Sequence, residues 1–260
     1  MADKNNEKQF SRRDFLKTTG AATGGIIGGS LLGGLVGFRM DGSNAPADEA
    51  PTDTASETES GGEESVEART FFSRSEDFRT LAAAVERIYP EDDNGPGAVA
   101  LGVPYFIDRQ LYGFWGSNSN DYKKGPFDPS RTSTHGLQER MNRGEIFLAG
   151  VRKLQEISLD EHTEEFPALD GGQQDDILRQ FEAGEVEIKG TSSSTFFSLL
   201  RRTTIEGVYA DPAYGGNKDM QGWEMIKYPG PRMGWMEEIE SEEFQELEPK
   251  SLRAYQGGGV

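Results

Sequence analysis

The sequence predicts an all-α fold, a single helical domain with long irregular loops that are rich in glycine and aromatic residues. Apolar residues recur every three or four positions in several stretches between residues 73 and 206, which is the spacing of one helix face. No stretch shows the sustained alternation that a sheet requires. An N-terminal segment (1–40) and an acidic linker (41–66) precede the helical domain, which comprises residues 67–260.

The N-terminal segment has the pattern of a twin-arginine export signal. Its motif comprises Ser11, Arg12, Arg13, Phe15 and Leu16. The uncharged stretch Gly20 to Phe38 follows, and the seven glycines within residues 24–37 disfavour a packed core helix, since each costs about 1 kcal/mol relative to alanine. Cleavage after Ala47 and retention as a membrane anchor are both compatible with this stretch, which is long enough to approach a bilayer span.

The export route suggests a carrier role. Twin-arginine export moves folded proteins, usually because they hold a cofactor, yet this chain has no cysteine, and His135 and His162 are a poor basis for a metal site. We therefore expect no cofactor of its own, and a signal that serves a folded partner. The alternative is a host that sends most of its secreted proteins by this route. In either case we expect the chain at the extracytoplasmic face of the membrane, anchored or peripheral.

Residues 41–66 are predicted to be a disordered acidic linker. They hold eight carboxylates and no base, among mainly small and polar residues, so they cannot bury enough apolar surface to offset their ordering entropy. The whole chain has a formal charge of −18. This charge argues against nucleic-acid binding, which requires a basic patch.

Two helices are predicted in the first half of the domain. Ser73 to Glu76 has the pattern of a capping box, and an apolar stripe follows it until Pro90. A second helix is predicted to begin near Pro104. Its apolar side comprises Val103, Phe106, Ile107, Leu111 and Phe114. A long polar loop is predicted from Gly116 to Thr134.

Three further helices are predicted. The stripe from Leu137 to Ile157 has the best helical spacing. Two glycines weaken it, Gly144 and Gly150. Gln173 to Phe181 is predicted to be a short helix, and Thr195 to Glu206 a longer one that is capped by Ser194.

Common catalytic motifs are missing from the sequence. It has no Gly-x-Gly-x-x-Gly after a strand, no phosphate-binding Gly-Lys-Ser/Thr, no nucleophile elbow and no His-Glu-x-x-His. Asp92 to Gly95 has a calcium-like composition but lacks the ligand spacing of an EF-hand, so a turn explains it better. We assign no catalytic, cofactor-binding or metal-binding residue.

The most unusual segment runs from Glu206 to Gly230, where aromatic residues alternate with glycines and prolines. This composition predicts a rigid irregular loop rather than a helix, and Tyr and Trp favour surfaces that are half buried against a partner. Three interpretations are open: packing onto the domain's own helices, docking of another protein, and stacking on carbohydrate. For docking, the candidate contacts are Tyr209, Asp211, Tyr214, Asn217, Trp223 and Tyr228.

Several groups of residues between about Phe71 and Pro231 together resemble one known family. They are Phe78-x-x-Leu81, Ile88-Tyr89-Pro90, Gly95-Pro96-Gly97-Ala98, Phe106-Ile107-Asp108, the Phe196-Phe197 to Glu206-Gly207 helix, Asp211-Pro212-x-Tyr214-Gly215-Gly216-Asn217 and Gly222-Trp223-x-x-Ile226-x-Tyr228-Pro229-Gly230. The C-terminal groups are the specific ones. On these motifs the chain resembles the gluconate 2-dehydrogenase subunit 3 family.

The resemblance implies a small, non-catalytic subunit of a membrane-associated sugar or polyol dehydrogenase. In that family the catalytic partner is a large FAD-dependent flavoprotein of the glucose-methanol-choline type, often joined by a cytochrome c subunit. The small subunit bears the signal for the twin-arginine translocase and helps the flavoprotein mature and cross the membrane. FAD is therefore expected on the partner. The acidic linker is longer than the motifs require, which leaves the mode of membrane attachment open.

Two other functions stay open on the residues alone. A free-standing sugar oxidoreductase would use carboxylates within the 206–230 segment. An exported carbohydrate-binding module would instead stack sugars on the aromatic rings of that segment, with Trp223 as the first candidate.

Overall fold

Four long helices pack around a fifth. The computed structural model describes residues 68–128, 136, 138–235, 239–243 and 245–256. Its long helices are α1 (Ser75–Ile88), α2 (Val103–Tyr112), α3 (Arg143–His162), α4 (Gly171–Ala183) and α5 (Ser193–Tyr209). Helix α5 contacts each of the other four. The prediction of a helical fold is confirmed for this part of the chain, whereas the predicted export segment and linker lie outside the described residues.

Short elements complete the architecture. A two-residue antiparallel pair joins α4 to α5, and single 3₁₀ turns and two short helices follow or connect the long ones. They are β1 (Glu187–Ile188), β2 (Thr191–Ser192), the turns Phe166–Ala168, Pro212–Tyr214 and Lys218–Met220, α6 (Gln221–Ile226) and α7 (Arg253–Gln256). Helix α6 corrects the prediction that the 206–230 segment would be irregular throughout. No helix among the described residues has the length and apolar character needed to cross a membrane.

Buried aromatic rings join α3, α4 and α5. Phe196 of α5 is fully buried, and its ring meets Phe147 and Phe181 edge to face, with centroids 5.8 Å apart in both pairs. Gly150 of α3 faces the same ring, because a Cβ built there would lie 2.2 Å from Cγ of Phe196. The glycine that weakens α3 as an isolated helix is therefore what allows the ring to pack against it.

The limits of α1 and α2 differ from the prediction. Helix α1 starts after Arg74, whose side chain makes no capping hydrogen bond, so the predicted capping box at Ser73 is wrong. Ser73 lies one residue ahead of the position from which a side chain can cap the first turn. Helix α2 ends at Tyr112, and Gly113 is its C-cap. Phe114 therefore lies beyond the helix rather than on its apolar side, and it is 74% exposed.

The starts of α3 and α5 are set by side-chain caps. Asn142 and Glu145 form a capping box, so α3 begins at Arg143. The apolar stripe from which this helix was predicted begins earlier, at Leu137. The cap of α5 is Ser192, whose Oγ accepts a hydrogen bond from the backbone N of Thr195 at 3.0 Å. The predicted cap, Ser194, is instead a residue of the first turn.

Part of the predicted polar loop is a packed turn. The guanidinium of Arg143 lies 4.9 Å from the ring centroid of Trp115 and forms an ion pair with Asp121 at 2.8 Å. Lys123 donates a hydrogen bond to the carbonyl oxygen of Met141. Burial of the Lys123 ammonium, and then repulsion by Arg143, lower the pKa of that group. Residues 129–134 of the loop lie outside the described residues.

Helix α2 holds the start of the domain through a buried carboxylate. Asp108 is fully buried and accepts hydrogen bonds from the backbone N of Thr70, Phe71 and Phe72, and from the hydroxyl of Thr70, at 2.5 to 3.1 Å. This arrangement satisfies both carboxylate oxygens. It fixes the point at which the chain enters the helical domain.

An ion pair joins α1 to α4. Nε and Nη2 of Arg87 donate to the two carboxylate oxygens of Asp175 at 2.9 and 2.8 Å. The hydrogen bond to Asp175 raises the pKa of Arg87 against the opposing effect of burial, so the guanidinium keeps its charge in this pair.

Candidate partner-docking site

The segment between α5 and the C-terminal residues is folded by specific contacts of its own. Asp211 accepts a hydrogen bond from the backbone N of Ala213 at 2.9 Å and so starts the turn Pro212–Tyr214. Gly216 then passes so close to α5 that a Cβ would lie 2.2 Å from the carbonyl oxygen of Gly207. The chain is thus packed directly against the end of α5.

Asn217 holds the two halves of this segment together. Its backbone is in the left-handed region (φ 48°) and its side chain is fully buried. Nδ2 donates to the carbonyl oxygen of Ala210 at 2.9 Å, and Oδ1 accepts from the backbone N of Gly222 at 2.7 Å. One carboxamide therefore links the end of α5 to the start of α6.

Trp223 fastens α6 to α5. The side chain is only 3% exposed, and its Nε1 donates to the carbonyl oxygen of Tyr209 at 2.8 Å. The indole also meets the ring of Tyr228 edge to face, with centroids 5.3 Å apart. Since the indole is enclosed by the domain itself, little of it is available to a ligand or a partner.

The C-terminal segment returns across this structure. The Asp211 carboxylate accepts hydrogen bonds from the hydroxyl of Ser251 at 2.7 Å and from the backbone N of Leu252 at 2.8 Å. The backbone N of Lys250 donates to the carbonyl oxygen of Pro229 at 3.2 Å. A single buried acid thus anchors two segments that are 40 residues apart.

Apolar side chains stay exposed beyond these anchors. Five of them lie between residues 226 and 239, and we call this set the apolar strip: Ile226, Tyr228, Met233, Trp235 and Ile239. Tyr228 is 44% exposed although its ring rests on Trp223, which gives it a fixed base and a free face. Large aromatic residues with a supported ring are typical anchors of protein interfaces.

A groove of about 600 Å³ lies beside the apolar strip. The residues that line this C-terminal groove are Glu224, Lys227, Pro229, Trp235, Gln245, Glu246, Leu247, Glu248 and Pro249. Its apolar lining consists of a tryptophan, two prolines and a leucine. Its charged lining consists of three glutamates and one lysine, so the groove is acidic. Lys227 and Glu246 form an ion pair at 3.2 Å, but both side chains are largely exposed, so this pair contributes little.

The structure divides the six predicted contact residues into three groups. Asp211, Asn217 and Trp223 are buried and hold the segment together. Tyr209 is half-buried, with its hydroxyl 3.3 Å from that of Tyr89. Tyr214 and Tyr228 are exposed, so they are the members that a partner can reach. That any of the six contacts a partner stays a prediction.

The exposed residues that follow the motif groups were not among the predicted site residues. Met233 and Trp235 extend the apolar surface beyond Tyr228, and Trp235 also lines the groove. Two large apolar residues, two positions apart in the mainly polar stretch after Gly230, were the signal available.

No metal site stands out in the described part of the chain. No group of three or more His, Cys, Asp or Glu side chains there could hold a metal ion. His162 is the last residue of α3, with Nδ1 3.3 Å from Nε2 of Gln173. His135 lies outside the described residues.

The fold and the candidate site define a small helical domain that presents an apolar strip and a groove on a tightly anchored C-terminal segment. Among protein families, the one described as Gluconate 2-dehydrogenase subunit 3 matches residues 75–230, which is more than half of the chain. The chain belongs to this family, and the resemblance seen in its motifs is confirmed. Comparison with curated proteins and with solved structures gave no significant match.

Proposed function

We propose that this chain is the non-catalytic accessory subunit of a dehydrogenase complex. It binds a large FAD-dependent subunit of the glucose-methanol-choline type that oxidises a sugar or polyol, helps this partner mature, and carries it through the twin-arginine pathway to the extracytoplasmic face of the membrane. A cytochrome c subunit is a further candidate partner. The observation that carries the proposal is the family match over residues 75–230, because the family is named as a subunit of a dehydrogenase.

The anchored C-terminal segment supports a docking role. Asn217 and Trp223 fix the base of the segment through buried hydrogen bonds, while Ile226 and Tyr228 are exposed on top of it. A partner would therefore meet a surface that is ordered before binding, which reduces the entropy lost on association. We assign the docking contact to the apolar strip and Tyr214, with Tyr228 as its central anchor.

A carbohydrate-binding function receives less support. Stacking requires an open ring face, and the indole of Trp223 is enclosed by α5 and Tyr228. A sugar platform centred on Trp223 would require this part of the domain to open.

Fractionation of cells that produce both subunits tests the export part of the proposal. Replacing Arg12 and Arg13 with lysine should leave both the small subunit and the flavoprotein in the cytoplasm, because the flavoprotein depends on this signal. Replacing Lys4 and Lys8 with arginine is the matched control, since it keeps the charge and leaves the pair intact. Normal export of the flavoprotein with the Arg12→Lys/Arg13→Lys chain would refute co-export.

A further inference from the structure

The C-terminal groove has the chemistry of a site for a basic, partly apolar peptide. Its lining combines the rings of Trp235, Pro229 and Pro249 with the carboxylates of Glu224, Glu246 and Glu248. A guanidinium is held well by such a surface, since it stacks on an indole and bonds to carboxylates. The Lys227–Glu246 pair is open to exchange with another cation, because both side chains are largely exposed.

The chain itself contains a segment of matching chemistry. Residues 4–17 hold five bases, Lys4, Lys8, Arg12, Arg13 and Lys17, against two acids, Glu7 and Asp14, so their net charge is +3. Three apolar side chains accompany them, Phe10, Phe15 and Leu16. In a chain with a formal charge of −18, this N-terminal basic segment is a local concentration of positive charge, and it brings apolar groups that suit the lining of the groove.

The intervening chain is long enough for the two to meet. Residues 18–67 separate the basic segment from the first described residue, Ala68. Fifty residues can span up to about 165 Å when extended, and a flexible chain of that length has an end-to-end distance of roughly 40 Å. A tether of this kind gives an effective concentration that approaches the millimolar range. A contact with a Kd of about 1 mM or lower is therefore enough to be substantially populated.

We infer that residues 4–17 of the unassembled chain bind in the C-terminal groove of the same molecule. Arg12 and Arg13 lie against Trp235 and the glutamate carboxylates, while Phe15 and Leu16 pack on the apolar lining. While the groove is occupied, the paired arginines are withheld from the translocase. Binding in the groove requires no partner protein, so it is tested separately from the proposed function, whereas the withholding of the arginines rests on the export part of that function.

Disulfide trapping in the full-length chain tests the inference. The chain has no native cysteine, so only the two introduced cysteines can form an intramolecular disulfide. The groove pair is Gln9→Cys with Gln245→Cys, since Gln245 lines the groove. The control pair is Gln9→Cys with Ala183→Cys, since Ala183 is an exposed residue at the end of α4. Under mild oxidation at low ionic strength, we expect the groove pair to form an intramolecular disulfide at least about tenfold faster than the control pair. Equal rates for the two pairs would overturn the inference.

Charge reversal separates binding in the groove from the general attraction of an acidic domain. Glu224→Lys with Glu248→Lys should abolish the excess rate of the groove pair, because both carboxylates lie at the groove. Glu164→Lys with Glu185→Lys changes the net charge equally at other exposed positions and should leave the excess unchanged. The same loss in both charge variants would show that net charge alone attracts the segment, and the inference would fail.

Discussion

Replacing Trp223 with alanine distinguishes a residue that builds the site from one that contacts a partner. Burial of the indole predicts that the variant loses about 3–5 kcal/mol of folding free energy, as is usual for large-to-small changes at enclosed positions. The carbonyl oxygen of Tyr209 also loses its donor. For a domain of this size each 1 kcal/mol lowers Tm by about 2–4 °C. The expected decrease in Tm is therefore roughly 6–20 °C.

Two matched variants divide this effect into its parts. Trp223→Phe keeps an aromatic ring against Tyr228 but leaves the Tyr209 carbonyl unpaired, which should cost about 1–3 kcal/mol. Tyr228→Ala removes a ring that is half exposed and should lower Tm much less than Trp223→Ala does.

Thermal unfolding followed by circular dichroism provides the Tm, and the affinity for the flavoprotein is measured on the same samples below the transition. The reasoning predicts that Trp223→Ala acts mainly on Tm and Tyr228→Ala mainly on affinity. A Trp223→Ala protein that melts within about 2 °C of the wild type would refute the claim that the indole holds α6 onto α5.

Three further substitutions test the packing by urea or thermal unfolding. Gly150→Ala should destabilise the domain by about 1–3 kcal/mol despite the better helix propensity of alanine, because its Cβ would collide with Phe196; an increase in stability would contradict this. Asp108→Asn should cost about 2 kcal/mol or more, since a carboxamide offers one acceptor where four donors converge, and a neutral result would contradict it. Asp175→Asn should cost about 1–2 kcal/mol through the loss of the charged pair with Arg87, and an unchanged midpoint would argue against that pair.

Apolar spacing was enough to predict the long helices, whereas their ends needed the fold. Apolar residues spaced three and four positions apart around Phe147 and Phe196 indicate which face of each helix is buried. That face does not depend on which residue caps the helix. The N-cap position depends on local backbone geometry, which a sequence pattern does not show. The pattern therefore placed the N-caps of α1 and α5 at Ser73 and Ser194, whereas the structure places them at Arg74 and Ser192. Gly150 seemed unfavourable in isolation because its partner ring is 46 residues away.

The 206–230 segment is conspicuous in the sequence, but which of its aromatic residues are buried and which are exposed could not be predicted. Tyrosine and tryptophan suit both an interior and an interface, so composition did not separate Trp223 from Tyr228. Their exposure is decided by long-range contacts, including the bonds from Ser251 and Leu252 to Asp211. Such contacts leave no periodic signal in the segment itself.

The central claim is that this chain docks a large FAD-dependent dehydrogenase, and co-purification tests it most directly. A tagged small subunit, produced together with the flavoprotein encoded nearest to it, should elute as a stable complex that carries flavin absorbance. Tyr228→Ala should keep its fold and lose about 2 kcal/mol or more of binding, roughly thirtyfold in affinity. A folded small subunit that elutes alone, with the flavoprotein mature and active without it, would contradict the account.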